Sequence, residues 1–275
     1  MTTSPNGTAP LQPPPSLEDS STENEAAVPD DDASFTRRHR AAAYSVHFYT
    51  ASGLLCGALA AAEIIAGRNQ RAFFWLILAM LIDSTDGALA RRFRVKDVVP
   101  HIDGRKLDDI VDYLNYTFLP VLMMAWSGWL PEPVWLWAGI PLIASVFAFS
   151  HTGAKEEENG FFLGFPSYWN VFAFYTAIWL SHYGPYAVLS VALVLSVLSV
   201  VPVRFVYPNR PPRWKTFFIG GGVATVLVAL FILLRHPELD PPGWLIGVSL
   251  VYPAMYFAAS AYLDWDHRRR ERKSA

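Results

Sequence analysis

The sequence predicts an all-α fold, a polytopic integral membrane bundle of about eight transmembrane helices. Three observations lead to this prediction. Hydrophobic residues make up 52% of the 275 residues, and the mean hydropathy is +0.23. Long apolar runs recur along the chain, several of them near the length of about 20 residues that crosses a bilayer. The basic residues between the runs are distributed unevenly, as they are in loops on opposite sides of a membrane.

Eight apolar segments are candidates for these helices, and Pro and Gly occur in the connections between them. The second and third segments run on into polar sequence, so their ends are expected to project beyond the hydrocarbon. The predicted segments are 42–66, 72–92, 106–128, 132–150, 167–183, 186–206, 214–234 and 243–263.

The positions of Lys and Arg predict the orientation. With an even number of helices and a cytoplasmic N-terminus, only Arg68, Arg71 and Arg235 fall on the far side, which leaves 19 of the 22 basic residues on the cytoplasmic side. Cytoplasmic loops of membrane proteins carry such an excess. Both termini are therefore expected to be cytoplasmic.

The ends of the chain differ from the apolar region. Residues 1–36 contain no Lys or Arg and are rich in Pro, Ser and acidic residues, a composition that predicts a disordered tail and is not that of a signal peptide. Residues 37–265 form the predicted membrane domain, and 266–275 a basic cytoplasmic tail that meets anionic lipid. The single cysteine, Cys56, excludes an intramolecular disulfide framework.

Acidic and small residues share one face of each of two neighbouring segments. On the second segment their spacing is i, i+3, i+4, i+7, and on the third it is i, i+4, i+8, so each set lines one helix face. The residues are Asp83, Asp86, Gly87 and Ala90, and then Gly104, Asp108 and Asp112.

Four carboxylates on facing helices predict a site for hard divalent cations, because these ions prefer oxygen ligands. Two such ions suit phosphoryl chemistry, since they neutralise phosphate oxygens and clamp the attacking and leaving groups. The small residues leave room for a ligand, and Arg91 is within reach of a phosphate. The alternative is an interfacial charge network in which the acids pair with nearby Arg and Lys.

The pattern Asp83-x2-Asp86-Gly87-x2-Ala90-Arg91, followed by Gly104-x3-Asp108-x3-Asp112, resembles the signature of the CDP-alcohol phosphotransferase family. The 12 residues between Arg91 and Gly104 are more than most members have and resemble the bacterial phosphatidylcholine synthase branch. The stretches AYSVHFYTASG at 43–53 and GFFLGFPSYWN at 160–170 are similar to that branch as well.

The resemblance implies a reaction in which choline attacks the β-phosphorus of CDP-diacylglycerol and yields phosphatidylcholine and CMP. It implies that Asp112 is the general base and a metal ligand. It further implies that the site binds two divalent ions, Mg²⁺ or Mn²⁺. Their ligands are expected to be Asp83, Asp86, Asp108 and Asp112. The nucleotide is expected along Gly87, Ala90, Arg91 and Gly104.

Several further residues are candidates for substrate contacts. Thr50 and His47 are placed to line the nucleotide pocket, although His47 equally suits an interhelical hydrogen bond, and Lys155 is a candidate for a phosphate contact. Choline's trimethylammonium group is best recognised by aromatic faces. The candidates for that role are Tyr168, Trp169, Tyr113 and Tyr116. Asp109 lies outside the motif spacing and is interpreted as a surface or pairing residue.

Partners and location follow from the resemblance and the charge distribution. We expect an enzyme of the bacterial inner membrane whose active site faces the cytoplasm, which binds membrane lipids, forms a homodimer and has no nucleic-acid role. Two alternatives stay open. One is a member of the same family that uses serine, inositol or glycerol phosphate as the acceptor. The other is a divalent-cation transporter, which would favour carboxylates at the bilayer midplane and a repeated half.

Overall fold

The structure is a computed structural model that describes residues 35–151, 153, 155–156, 160–207 and 211–274. The predicted disordered tail, 1–36, lies almost wholly outside the described residues. Within them the chain is predominantly helical. The α-helices are α1 (Arg37–Ile65), α2 (Asn69–Arg92), α3 (Val95–Val98), α4 (Gly104–Asp112), α5 (Leu119–Trp126), α6 (Val134–Ser150), α7 (Trp169–Ile178), α8 (Pro185–Val200), α9 (Lys215–Arg235) and α10 (Gly243–Ser274).

The helices confirm the prediction of a membrane helix bundle. Among the described residues, α1, α2, α9 and the part of α10 from Gly243 to Arg270 are long and apolar enough to cross a membrane. Helices α6 and α8 are apolar but shorter. Helix α10 continues to Ser274, so the basic segment predicted as a separate tail forms its last turns.

The third predicted segment is one continuous helical run that changes its hydrogen-bonding pattern in the middle. Helix α4 passes into a π-helical turn, Tyr113–Phe118, and then into α5, and the backbone keeps right-handed helical angles at both junctions. Helix α4 begins at Gly104 because the carboxylate of Asp103 accepts hydrogen bonds of 3.1 Å from the backbone N–H groups of Arg105 and Lys106.

A small antiparallel sheet is the part of the fold that the sequence prediction missed. Strand β1 (Lys155–Glu156) pairs with β2 (Phe161–Leu163), which pairs with β3 (Arg204–Val206). The predicted sixth helix, 186–206, therefore ends early. Pro202 gives the reason, because the residue before a proline is disfavoured in the helical region; Val201 is extended, with ψ of 135°.

Helix α10 holds the sheet in place. The hydroxyl of Tyr256 donates a 2.8 Å hydrogen bond to the carbonyl of Val206, and the N–H of Val206 donates to Ser260 Oγ at 3.2 Å. Gly164 follows β2 with a φ of +86°, and a Cβ there would lie 2.5 Å from the carbonyl oxygen of Ser199. This turn therefore needs glycine, and it lets β2 pass close to the end of α8.

The core that positions the site lies around α1 and α7. Helix α1 packs along α2 and against α4, while α7 contacts α5 and the π turn. Trp169, at the start of α7, is fully buried, and its indole N–H donates a 2.7 Å hydrogen bond to Ser145 on α6. The two acidic helices thus share α1 as a packed neighbour.

Candidate metal and nucleotide site

Three of the four predicted metal ligands meet at one point. Asp83 on α2 and Asp108 and Asp112 on α4 each offer a carboxylate oxygen, and these oxygens lie within 4.8 Å of one another. All three residues are half-buried. Asp108 and Asp112 are four residues apart in a regular helix, so they share a face. The convergence of α2 on that face could not be read from spacing alone.

Asp86 lies beside this group without being part of it. Its side chain is 6% exposed and has polar interactions with the hydroxyl of Thr50 and the backbone N–H of Gly87. It is close enough to Asp83 for the two carboxylates to repel each other. The Thr50 contact links α2 to α1 and gives the buried carboxylate a donor, which a desolvated charge needs.

Tyr116 supports the aspartate group from the π turn. Its hydroxyl donates a 2.7 Å hydrogen bond to Oδ2 of Asp83. Residues that orient metal-ligating carboxylates tune their geometry and their affinity for the ion, and single π-helical turns are frequent at functional sites. Sequence reasoning named Tyr116 only as an aromatic candidate. No simple pattern in the sequence predicts the π turn, which positions the Tyr116 hydroxyl.

Two glycines of α1 allow the π turn to approach, and the sequence prediction did not single them out. A Cβ on Gly53 would lie 2.8 Å from Val111 Cγ1, and a Cβ on Gly57 would lie 2.7 Å from Asn115 Oδ1. The Asn115 amide donates to the carbonyls of Gly53 and Val111, both at 3.1 Å. Glycines four residues apart on a membrane helix are a known signal of close helix contact. Gly53 and Gly57 have this spacing, so the sequence contained the signal.

Three of the predicted nucleotide residues, Gly87, Ala90 and Arg91, follow Asp86 on α2. Ala90 is half-buried and Arg91 is exposed. A Cβ on Gly87 would meet only Arg91 Nη1, at 3.5 Å, so the space in front of this glycine is open. A nucleotide would need such clearance beside a basic side chain, and the assignment of these residues to the nucleotide stays a prediction.

His47 and Gly104 meet across the α1–α4 contact. A Cβ on Gly104 would lie 3.2 Å from His47 Cε1. The side chain of His47 is 8% exposed, and its Nε2 atom has no hydrogen-bond partner within the described chain. Buried polar atoms are nearly always paired, so the role of His47 as a nucleotide contact stays a prediction, and the alternative interhelical hydrogen bond is not formed by Nε2 among the described residues. Lys155 lies in β1, and its side chain is outside the described part of the structure.

The four aromatic candidates for choline occupy different environments. Trp169 is fully buried in the core. The hydroxyl of Tyr113 donates to the carbonyl of Leu142 at 3.1 Å, and that of Tyr116 donates to Asp83. Tyr168 packs against Tyr256 with 6.3 Å between ring centroids and interacts electrostatically with Asp83. The structure therefore joins Tyr116 to the aspartate group by a hydrogen bond and places Trp169 in the packed interior.

The residues present fit a divalent cation. Asp83, Asp108 and Asp112 supply only carboxylate oxygens, the ligands that Mg²⁺ and Mn²⁺ favour. Three carboxylates held this close repel one another strongly unless a cation lies between them. Their oxygens already lie within 4.8 Å of one another, so no large rearrangement is needed to bring them together.

Comparison with known proteins identifies the family. The model of the CDP-alcohol phosphatidyltransferase family matches residues 47–201, which include all four aspartates. The protein named phosphatidylcholine synthase in Pseudomonas aeruginosa is 34% identical over 230 residues, covering 83% of this chain and 92% of that protein. The proteins of that name from Rhizobium johnstonii and Borreliella burgdorferi are 34% and 32% identical, over 81% and 83% of this chain and 90% and 97% of their own. This chain, with its aspartates at the motif spacing, belongs to the CDP-alcohol phosphatidyltransferase family.

Proposed function

We propose that this protein is a phosphatidylcholine synthase that transfers the phosphatidyl group of CDP-diacylglycerol to choline and releases CMP. The observation that carries the proposal is the meeting of Asp83, Asp108 and Asp112 within 4.8 Å, at the motif positions of a phosphatidyltransferase family. The relatives named phosphatidylcholine synthase, which match over most of the chain, support choline as the acceptor.

In the proposed reaction Asp112 is the general base. The choline hydroxyl is a poor nucleophile until its proton leaves, and a carboxylate within hydrogen-bond reach can accept that proton. The choline oxygen then bonds to the β-phosphorus of CDP-diacylglycerol, and the bond from that phosphorus to the bridging oxygen of CMP breaks. Asp112 is suited to this role because it lies beside Asp83 and Asp108 and is only half-buried.

A divalent cation, when bound, supplies charge neutralisation on the pyrophosphate and on the departing CMP. Asp83, Asp108 and Asp112 are the proposed ligands, joined by the adjacent Asp86; two ions, Mg²⁺ or Mn²⁺, suit four carboxylates. The cytidine nucleotide is proposed to lie along Gly87, Ala90, Arg91, Gly104, Thr50, His47 and Lys155. The unpaired Nε2 of His47 and the open space at Gly87 support this placement.

The membrane arrangement is part of the proposal. We place residues 37–265 in the bacterial inner membrane as eight spans, with both termini and the active site on the cytoplasmic side, where cytidine nucleotides and choline are found. The uneven distribution of Lys and Arg supports this side. We propose that residues 1–36 form a solvated tail and that the protein is a homodimer. The final basic turns of α10 are proposed to contact anionic lipid.

An acceptor panel tests the function. Purified protein in detergent is given CDP-diacylglycerol, Mg²⁺ or Mn²⁺, and one of choline, serine, inositol or glycerol phosphate, and CMP release is measured. Release with choline alone is the expected result. Release with another acceptor and none with choline would overturn the choline assignment and leave the family chemistry in place.

A further inference from the structure

A cleft lined by Asp109, the residue after Asp108 on α4, has the chemistry of a quaternary-ammonium site. It encloses about 440 Å³, including the space at its open mouth. Helix α4 contributes Arg105 and Asp109, and three phenylalanines from α6 and the β2–α7 segment form much of the apolar wall. These are Phe149, Phe162 and Phe165. A carboxylate among aromatic rings recognises a cation that has no hydrogen to donate.

Two of these rings are half-buried and held in place by a second ring. Phe149 contacts Tyr113 edge to face, with 5.8 Å between centroids, and Phe162 contacts Tyr207 in the same way at 4.7 Å. Phe165 is buried against Trp169 and closes the inner wall. Rings fixed in this way lose little conformational entropy when a ligand enters, which favours binding.

Asp109 and the proposed base, Asp112, lie on the same helix, α4. It lies three residues before Asp112 on α4, and residues three apart on a helix have Cβ atoms about 5–6 Å apart. In choline a chain of two carbons separates the hydroxyl oxygen from the quaternary nitrogen. A choline whose hydroxyl meets Asp112 can therefore place its trimethylammonium group near Asp109. Arg105 also lines the cleft, but it is exposed, so water and salt screen its charge.

We infer that this cleft binds the trimethylammonium group of the acceptor, with Asp109 and the rings of Phe149 and Phe162 determining acceptor specificity. The inference rests on the proposed function and deepens it. It assigns Asp109 a role that spacing alone did not indicate, and it gives the aromatic recognition of choline to phenylalanines outside the set of tyrosines and Trp169 predicted from sequence.

The test compares choline with its uncharged isostere, in which a tert-butyl group replaces the trimethylammonium group. KM and kcat are measured for both acceptors, and KM for CDP-diacylglycerol, in the wild type and in Asp109→Asn, Phe162→Leu and Phe162→Tyr. Asp97→Asn is the control for charge, because Asp97 is exposed and pairs with Arg94 at 2.9 Å. Phe147→Leu is the control for ring loss, because Phe147 is 67% exposed and is not part of the cleft wall.

Asp109→Asn and Phe162→Leu should each raise KM for choline about tenfold and leave KM for CDP-diacylglycerol within about twofold of the wild type. The preference for choline over the isostere should shrink by the same factor, and Phe162→Tyr, which keeps a ring, should restore it. An unchanged preference in both variants would overturn the inference while the wild-type reaction with choline upholds the proposed function. A raised KM for CDP-diacylglycerol alone would also overturn it, because the cleft would then hold the nucleotide. A wild type that releases no CMP with choline would instead overturn the proposed function itself.

Discussion

Oδ2 of Asp83 accepts a 2.7 Å hydrogen bond from the hydroxyl of Tyr116, which lies 33 residues further along the chain. The bond joins α2 to the π turn that follows α4. It orients one of the three converging carboxylates from a different helical element, so the geometry of the site depends on where the π turn places this hydroxyl.

Replacing Tyr116 with Phe removes that donor and keeps the ring. Loss of a residue that orients a metal ligand typically costs about 10–100-fold in metal affinity or activity. We expect Tyr116→Phe to need more Mg²⁺ for half-maximal CMP release and to lose about tenfold in kcat/KM. Tyr113→Phe is the matched control, because the Tyr113 hydroxyl bonds the Leu142 carbonyl instead. Equal Mg²⁺ dependence in Tyr116→Phe and the wild type would contradict the orienting role.

Asp112→Asn tests the general base. The amide cannot accept the choline proton, so turnover should fall by about 10²–10⁴-fold, the range that general-base catalysis contributes. Binding of CDP-diacylglycerol in the presence of Mg²⁺ should persist in part, because Asp83 and Asp108 are unchanged. Turnover is measured by CMP release and binding by equilibrium titration of the purified variant, with Asp97→Asn as the control. Near-normal turnover would rule out Asp112 as the base.

Thr50→Val tests the support of Asp86. The substitution keeps the shape of the side chain and removes the donor to a carboxylate that is 6% exposed. An unsatisfied buried group costs about 1–3 kcal/mol, and more when it is charged. We expect a lower midpoint of thermal unfolding in detergent together with weaker CDP-diacylglycerol binding. Thr50→Ser, which retains the hydroxyl, should recover the wild-type thermal midpoint and CDP-diacylglycerol binding. If Thr50→Val equals the wild type in both measurements, Asp86 does not depend on its contact with Thr50.

Gly57→Ala tests the close approach of α1 to the π turn. The added methyl group would lie 2.7 Å from Asn115 Oδ1 and 3.2 Å from Leu119 Cδ1. Overpacking of this kind costs about 1–3 kcal/mol, so both the thermal midpoint and CMP release should fall. Gly139→Ala on α6 adds the same methyl group where nothing lies within 4 Å and should leave both unchanged. If the two variants behave alike, the α1 contact does not position the site.

Gly87→Ala separates clearance from folding. The new methyl group would make only an ordinary contact with Arg91 at 3.5 Å, so the thermal midpoint should stay at or slightly above the wild-type value, since Ala favours helix more than Gly does. The space proposed for the nucleotide is reduced, so KM for CDP-diacylglycerol should rise several-fold while KM for choline stays constant. An unchanged KM for CDP-diacylglycerol would place the nucleotide away from α2.

The sequence predicted most of the helices and the aspartate pattern because both depend on local periodicity. Apolar runs of sufficient length are expected as membrane helices, and residues i, i+4 share a helix face wherever the helix lies. The prediction extended the sixth helix to 206 because the segment is apolar, yet Pro202 ends it and β3 follows. The pairing of β3 with β2 joins residues about forty positions apart, and no local pattern specifies such a partner.

Acidic residues at helical spacing determined that this chain carries a carboxylate site on two neighbouring helices, and the motif determined its family. Which carboxylates meet was decided by the tertiary structure. Asp83 lies with Asp108 and Asp112, while Asp86 interacts with Thr50 on α1. The glycines of α1 allow the π turn to approach, and Tyr116 on that turn donates a hydrogen bond to Asp83. These contacts depend on how the helices pack, which is a property of the whole bundle and not of any one segment.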